Sequence, residues 1–239
     1  MSPADKGIRR IVIAGLMLAI TLLLVFTRFG MIPVPTPAGN ATVAHIPAII
    51  AGILEGPLIG LIVAMGFGFA SFMNATIPMF KDPLVAVLPR LFIGVTAGWV
   101  YMAFRTASKR VLYILLGIMA LLLLVFSWQV AGQMLWLGII IAIVSVAGVA
   151  ALVWWLRREE TPVVVLAIAA AVGSLTNTAL VLTMATIRGY IPSEAAWGIG
   201  LTHGLPELIV SAVVTVAVVL ALGKVEARRG PRLDRTSKK

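Results

Sequence analysis

Between Arg110 and Arg157 the chain carries no charged residue, a stretch long enough to cross a lipid bilayer twice. A second uncharged run, 11–26, follows Lys6, Arg9 and Arg10. Runs of this kind recur to the C-terminal tail. Over the 239 residues, 61% are hydrophobic and 12% charged, where an ordinary soluble domain has about 25% charged. A globular fold could not solvate such a surface. The bilayer is the solvent that fits, with room for one membrane domain of about eight spans and short loops.

The expected spans are 8–27, 45–54, 58–73, 84–104, 111–126, 134–156, 162–187 and 197–222. The first resembles a signal peptide in its basic start and apolar body. No small-x-small cleavage site follows it directly, so it reads as an uncleaved span. The segment 45–54 gives only ~15 Å of helix, and half-length elements persist in membranes where protein covers their ends. The loop 28–44 alternates Pro33, Pro35 and Pro37, which favours an extended path. Its length points to function.

The net charge of +10 raises the question of nucleic acid. Placement of the charges argues against it, because the basic residues cluster at the ends of apolar runs. With the N-terminus in the cytoplasm, alternating spans place fifteen of the 19 Lys and Arg inside, seven of them in the tail 224–239. Only Arg28, Lys81 and Arg188 fall outside, and Arg90 lies within a span. That asymmetry satisfies the positive-inside rule and requires an even number of spans, with both termini cytoplasmic. The tail reads as a solvated segment attracted to anionic headgroups.

There are no cysteines, which excludes disulfides, thiolate metal sites and cysteine nucleophiles. No phosphate loop, nucleophile elbow or zinc-protease motif occurs, so the chain reads as no enzyme and as having no cofactor or resident metal. Energy for any active transport must come from a partner or an ion gradient.

Small residues recur at spacing four: Gly52, Gly56, Gly60, Ala64 and Gly68, then Gly94 and Gly98, with Gly15 and Ala19 in the first span. Such faces let helices approach closely. They serve packing within the bundle or docking to another subunit, and the first span is the best candidate for docking. Arg90 is costly inside a span and implies a cavity or a partner. Two roles fit it: a structural pairing with Glu207 or with helix-end carbonyls, and a clamp for an anionic ligand. Ser174, Thr176, Asn177 and Thr178 form a polar cluster in the seventh span, where Asn177 must find partners for its amide. His203 and Glu207, four apart, share a helix face, too few for a metal site. Pro206 lies between them, and His45 opens the second span on the same side. Arg90, Asn177, His203, Glu207 and His45 are expected to converge on one outward-facing pocket. Trp99 and Trp197 read as interfacial or packing residues.

Three stretches in order, AHIPAIIAGILEGPLIGLIVAMGFGFASF (44–72), LPRLFIGVTAGWVY (88–101) and VGSLTNTALVL (172–182), resemble the substrate-specific (S) component of energy-coupling factor (ECF) transporters. The resemblance implies an all-α, polytopic membrane helix bundle with a six-span core, here 1–106 and 161–223. An inserted two-span hairpin at 107–160 would separate the two parts of the core. It implies a prokaryotic cell membrane, a membrane coupling (T) subunit as partner and a pair of cytoplasmic ATPases. It also implies docking through small residues of the first span, matched by Ala14, Gly15 and Ala19. The outward pocket would be covered by the first loop, with Asn40, Thr42 and His45 on the lid side and Arg90 and Asn177 inside. The cargo would be a vitamin or precursor: pantothenate first, then folate or riboflavin, with carboxylates suiting Arg90. Two rival readings stay open: a stand-alone ion-coupled permease with His203 and Glu207 as proton relay, and a membrane assembly subunit without substrate.

Overall fold

The computed structural model describes residues 3–27, 29–32, 41–132, 135–158 and 161–228. These form a bundle of α-helices with one minimal strand pair. Helix α1 spans Pro3–Phe26, and five helical segments, 7–26, 83–104, 138–157, 162–187 and 193–223, are long and apolar enough to cross a membrane. Their outer faces match that environment. On α1, Ile8, Ile11, Val12, Leu16 and Leu23 are exposed, an apolar surface that water would not tolerate on a soluble monomer.

After α1 the chain forms β1 (Met31–Ile32) and β2 (Ala41–Thr42), which pair antiparallel with Met31 opposite Thr42. The alternating prolines expected to extend this loop, and Asn40, lie outside the described residues. Helix α2 (Ile46–Glu55) is 10 residues long, as its apolar run predicts. Every residue from Ile46 to Ile53 is buried, because α1, α3, α5, α8 and α9 all pack around it. The half-length helix is therefore the centre of the bundle, where neighbours cover its ends.

Helix α3 (Pro57–Met73) folds back on α2 through Gly56, whose φ of 94° and ψ of 171° suit only glycine. At this turn Glu55 is paired with Arg9 (3.0 Å) and Arg10 (3.7 Å), tying the start of α1 to the α2–α3 hairpin. The small-residue ladder is used inside the bundle. A Cβ on Gly60 would stand 2.6 Å from the Gly94 carbonyl oxygen, and one on Gly98 would stand 2.7 Å from that of Gly52. Thus α2, α3 and α5 (Leu91–Phe104) meet backbone to backbone.

The fourth expected span is not one continuous helix. A 3-10 turn, Pro78–Lys81, leads to the four-residue α4 (Pro83–Ala86), whose first turn is capped by Asp82 accepting from the Leu84 N–H at 2.9 Å. The helix breaks over 87–90 before α5 begins. The cause is Pro89, which has no N–H for the Val85 carbonyl and whose ring crowds it. The Arg90 N–H turns to Val87 instead, leaving Ala86 without its helical donor as well.

Helix α6 (Lys109–Ala131) runs past the turn expected from Ser127. The Ser127 hydroxyl donates to its own helix at Leu124 (3.1 Å), so its polarity costs the helix little. With α7 (Leu135–Arg157) it forms a hairpin that packs mainly on itself. Leu112, Leu116 and Leu156 join it to Val164 and Val165 of α8 (Thr161–Ile187). Helix α9 (Ser193–Arg228), also longer than its apolar run, packs along α8. At the end of the bundle where α8 gives way to α9, Arg188 donates to Asp82 at 2.7 Å.

Candidate functional site

A cavity of about 100 Å³ opens between the ends of α3, α8 and α9, the 74–80 segment and the strand pair. Arg90, Asn177, His203, Glu207 and Thr42 all line it. Four of the five residues expected to converge therefore do so, joined by Thr42 from the first loop.

Arg90 enters this cavity because of the break beside it. Its Nη1 donates to the carbonyls of Val85 (3.3 Å) and Ala86, the two that the Pro89 break releases. The guanidinium lies over the rings of Phe67 (5.1 Å) and Phe80 (4.9 Å), favourable cation–π contacts. Among the described residues, no ion pair joins it to Glu207. Of the two structural pairings considered from sequence, helix-end carbonyls are the ones present. They do not exhaust the side chain: Arg90 is 4% exposed, and its Nε has no hydrogen-bond partner. Asn177, equally covered, leaves its Oδ1 without one. A buried polar atom left unpaired costs about 1–3 kcal/mol. Two residues of the cavity wall thus each carry a buried polar atom without a partner, Arg90 Nε and Asn177 Oδ1.

Glu207 is fully engaged. Its Oε1 accepts the backbone N–H of Thr42 at 2.6 Å, and its Oε2 accepts the Thr178 hydroxyl at 3.1 Å. The neighbouring Pro206 sits inside α9 and provides no N–H for the preceding turn. Thr42 also donates its hydroxyl to the Gly30 carbonyl (3.2 Å) and accepts from the Ala44 N–H (3.1 Å), which knits the base of the loop.

His45 does not line the cavity. It is completely buried, with Nε2 bonded to the hydroxyls of Ser211 (2.9 Å) and Ser174 (3.2 Å). His203, Glu207, Ser211 and Thr215 recur every four residues along α9, and all four are buried. This polar stripe faces Ser174, Asn177 and Thr178 on α8. Sequence reasoning singles out only the first two of the four, although the spacing that continues to Ser211 and Thr215 is there to be followed. Phe67 and Phe80, the rings against Arg90, carry no signal in the sequence that separates them from ordinary apolar packing. Among the described residues no three His, Asp or Glu side chains come together as a metal site.

On the opposite side of α1 from the core, Gly15 and Ala19 are exposed and Ala14 is half-buried. A Cβ at Gly15 would meet nothing within 4 Å. The glycine here answers to no neighbour within the chain.

The family model described as "ECF transporter, substrate-specific component" matches residues 9–145. The match takes in α1 to α6 and continues into α7, so it includes Thr42 and Arg90 and part of the hairpin read as an insertion. Asn177, His203 and Glu207 lie beyond it. No curated protein matches the chain.

Proposed function

Because the chain belongs to the family of substrate-specific components of ECF transporters, we propose that it captures a vitamin or vitamin precursor outside the cell and hands it to partner subunits for ATP-driven import. The observation that carries the capture step is that two residues lining one cavity, Arg90 and Asn177, each keep a buried polar atom, Nε and Oδ1, without a hydrogen-bond partner. A ligand with an acceptor edge for the guanidinium and an N–H or O–H for the amide oxygen would satisfy both. Pantothenate has both kinds of group: a carboxylate, and an amide and hydroxyls. Folate and riboflavin rank behind it. The cavity of about 100 Å³ is well below the ~300–1,000 Å³ of ordinary small-molecule sites, so larger cargo demands more opening.

In this reading Arg90 and Asn177 contact the cargo, with Thr42, His203 and Glu207 around them. Asn40 belongs to the covering loop, and His45 supports it from the core. Both termini lie in the cytoplasm of a prokaryotic cell, across about eight spans of its plasma membrane. The exposed face of Ala14, Gly15 and Ala19 docks to a membrane coupling subunit, which engages two ATPases. The α6–α7 hairpin is an addition at the edge of the bundle. The chain itself catalyses no reaction. A proton relay through His203 and Glu207 has less support, since Thr42 and Thr178 already occupy both oxygens of the carboxylate.

The test is a thermal-shift screen of purified protein against a vitamin panel. A ligand at 100 times its Kd adds about 2.7 kcal/mol of stability. A panel that leaves the melting temperature unmoved, together with uptake by the lone chain that depends on a proton gradient, would favour the permease.

A further inference from the structure

Four helix ends meet at the end of α8 far from the cavity. Phe104, Leu112, Leu156 and Val164, one from each of α5, α6, α7 and α8, belong to one apolar cluster there. The cluster brings the basic residues beside it to one level: Arg105 after α5, Arg110 in the first turn of α6, and Arg157 and Arg158 at the end of α7. All four are exposed. Among the described residues none of the four forms an ion pair with a carboxylate, whereas Arg9 and Arg10 are held by Glu55 and Arg188 by Asp82. The segments 105–110 and 157–160 hold five basic residues against two acids, Glu159 and Glu160, which lie outside the described residues.

The surroundings of these arginines narrow what they meet. Arg158 folds back along its helix, and its guanidinium lies 4.3 Å from the ring of Trp154, one turn earlier on α7. Trp154 is itself exposed. So are Met102, Tyr113 and Ile114, each about one turn from Arg105 or Arg110. The cations therefore border a rim of exposed aromatic and apolar side chains. The headgroup level of a bilayer suits both parts. Amphipathic rings settle at that level, acyl chains cover the apolar side chains, and guanidinium groups match phosphate oxygens bidentately. An acidic protein surface would answer the charge and leave the rim bare.

We propose that this patch binds an anionic phospholipid: its phosphate lies among Arg105, Arg110, Arg157 and Arg158, and its acyl chains run along the exposed apolar side chains of α5, α6 and α7. A lipid that bridges Arg105 to Arg158 also fastens the α6–α7 hairpin, which packs mainly on itself, to the end of α5. The proposal rests on the membrane setting and is independent of the cargo reading.

The test is lipid titration and melting of the delipidated full chain in neutral detergent, with phosphatidylglycerol, phosphatidylcholine and inorganic phosphate as probes. The wild type should bind phosphatidylglycerol in preference to phosphatidylcholine, and the preference should shrink as salt rises. Arg157→Gln combined with Arg158→Gln should weaken phosphatidylglycerol binding about 25-fold, roughly fivefold for each arginine. Arg158→Lys keeps the charge without the planar fork and should weaken it less. Lys238→Gln combined with Lys239→Gln removes the same charge from the tail and should leave binding unchanged. Equal binding of the two lipids by the wild type would overturn the proposal. So would equal losses in the arginine pair and the tail pair, which would mean a diffuse attraction to total charge. A rise in melting temperature with inorganic phosphate as large as that with phosphatidylglycerol would overturn the lipid as occupant. If the arginine pair does not fold, Arg105→Gln against the tail pair decides the question by the same readings.

Discussion

Pro89 sets the Val85 carbonyl free, and the side chain of Arg90, the next residue, takes it up. A helix break and its repair are adjacent in the chain. The repair places a buried cation at the cavity wall with its Nε still without a partner. Structural and ligand-facing roles for Arg90 are therefore two ends of one guanidinium.

That dual role is separable by mutation. Arg90→Ala should cost about 1–3 kcal/mol of stability, because it strands buried carbonyls. Pro89→Ala restores an N–H for Val85 and permits a continuous helix. The double variant should regain much of the lost stability, a non-additivity typical of residues sharing partners. It should not regain affinity for an anionic ligand. Melting curves and ligand titrations of the three variants check this; a double variant no more stable than Arg90→Ala would refute the account of the break.

Two glycines should respond in opposite ways. At Gly94 an added Cβ would stand 2.5 Å from the Gly60 backbone, with no flexible side chain to give way. Gly94→Ala should force α3 and α5 apart, lowering stability by about 1–3 kcal/mol as overpacking does. At Gly15 there is open space, so Gly15→Leu should leave the isolated chain's melting temperature unchanged. If the α1 face docks to a coupling subunit, Gly15→Leu should reduce co-purification with that subunit. Normal co-purification would remove α1 as the docking face.

The Asp82–Arg188 pair makes an acid-sensitive tie between loops outside the spans. The Arg188 hydrogen bond, helped by the Leu84 N–H and by Tyr190, holds the Asp82 carboxyl below its ordinary 3.8. A lowered carboxylate pKa contributes stability above the unfolded value, and that contribution is lost as pH falls through the folded one. Arg188 is pushed upward and stays protonated throughout. Melting temperature should therefore fall below about pH 4 in the wild type. Asp82→Asn should be less stable at neutral pH and should show a smaller acid-dependent fall. Identical pH profiles for the two would mean that the tie contributes nothing.

The fold class and its main elements were legible in the sequence for a simple reason. Apolar runs of bilayer length can satisfy their backbone polar groups only as helices or closed barrels, and glycines at spacing four mark where such helices touch. The half-length α2 was equally legible, since Glu55, Gly56 and Pro57 end it wherever it packs. Pro89 and Arg90 are consecutive letters, so a break with a cation beside it could be suspected. The four-residue α4 could not, because it depends on Asp82 capping a turn already held by the loop before it.

Composition, the apolar runs and the two family-like stretches that fall within residues 9–145 pointed by themselves to a helical membrane bundle of the S-component kind. Which polar residues face one another was decided only by the tertiary structure. His45 reads as a pocket residue by its position in the chain, yet Ser174 and Ser211 hold it in the core. Glu207 reads as half of an i, i+4 pair with His203, yet both its oxygens are taken by Thr42 and Thr178. The physical reason is the same in both cases. A buried polar atom must be paired, spacing along one helix says only which way it points, and its partner comes from a distant segment that packing brings into reach.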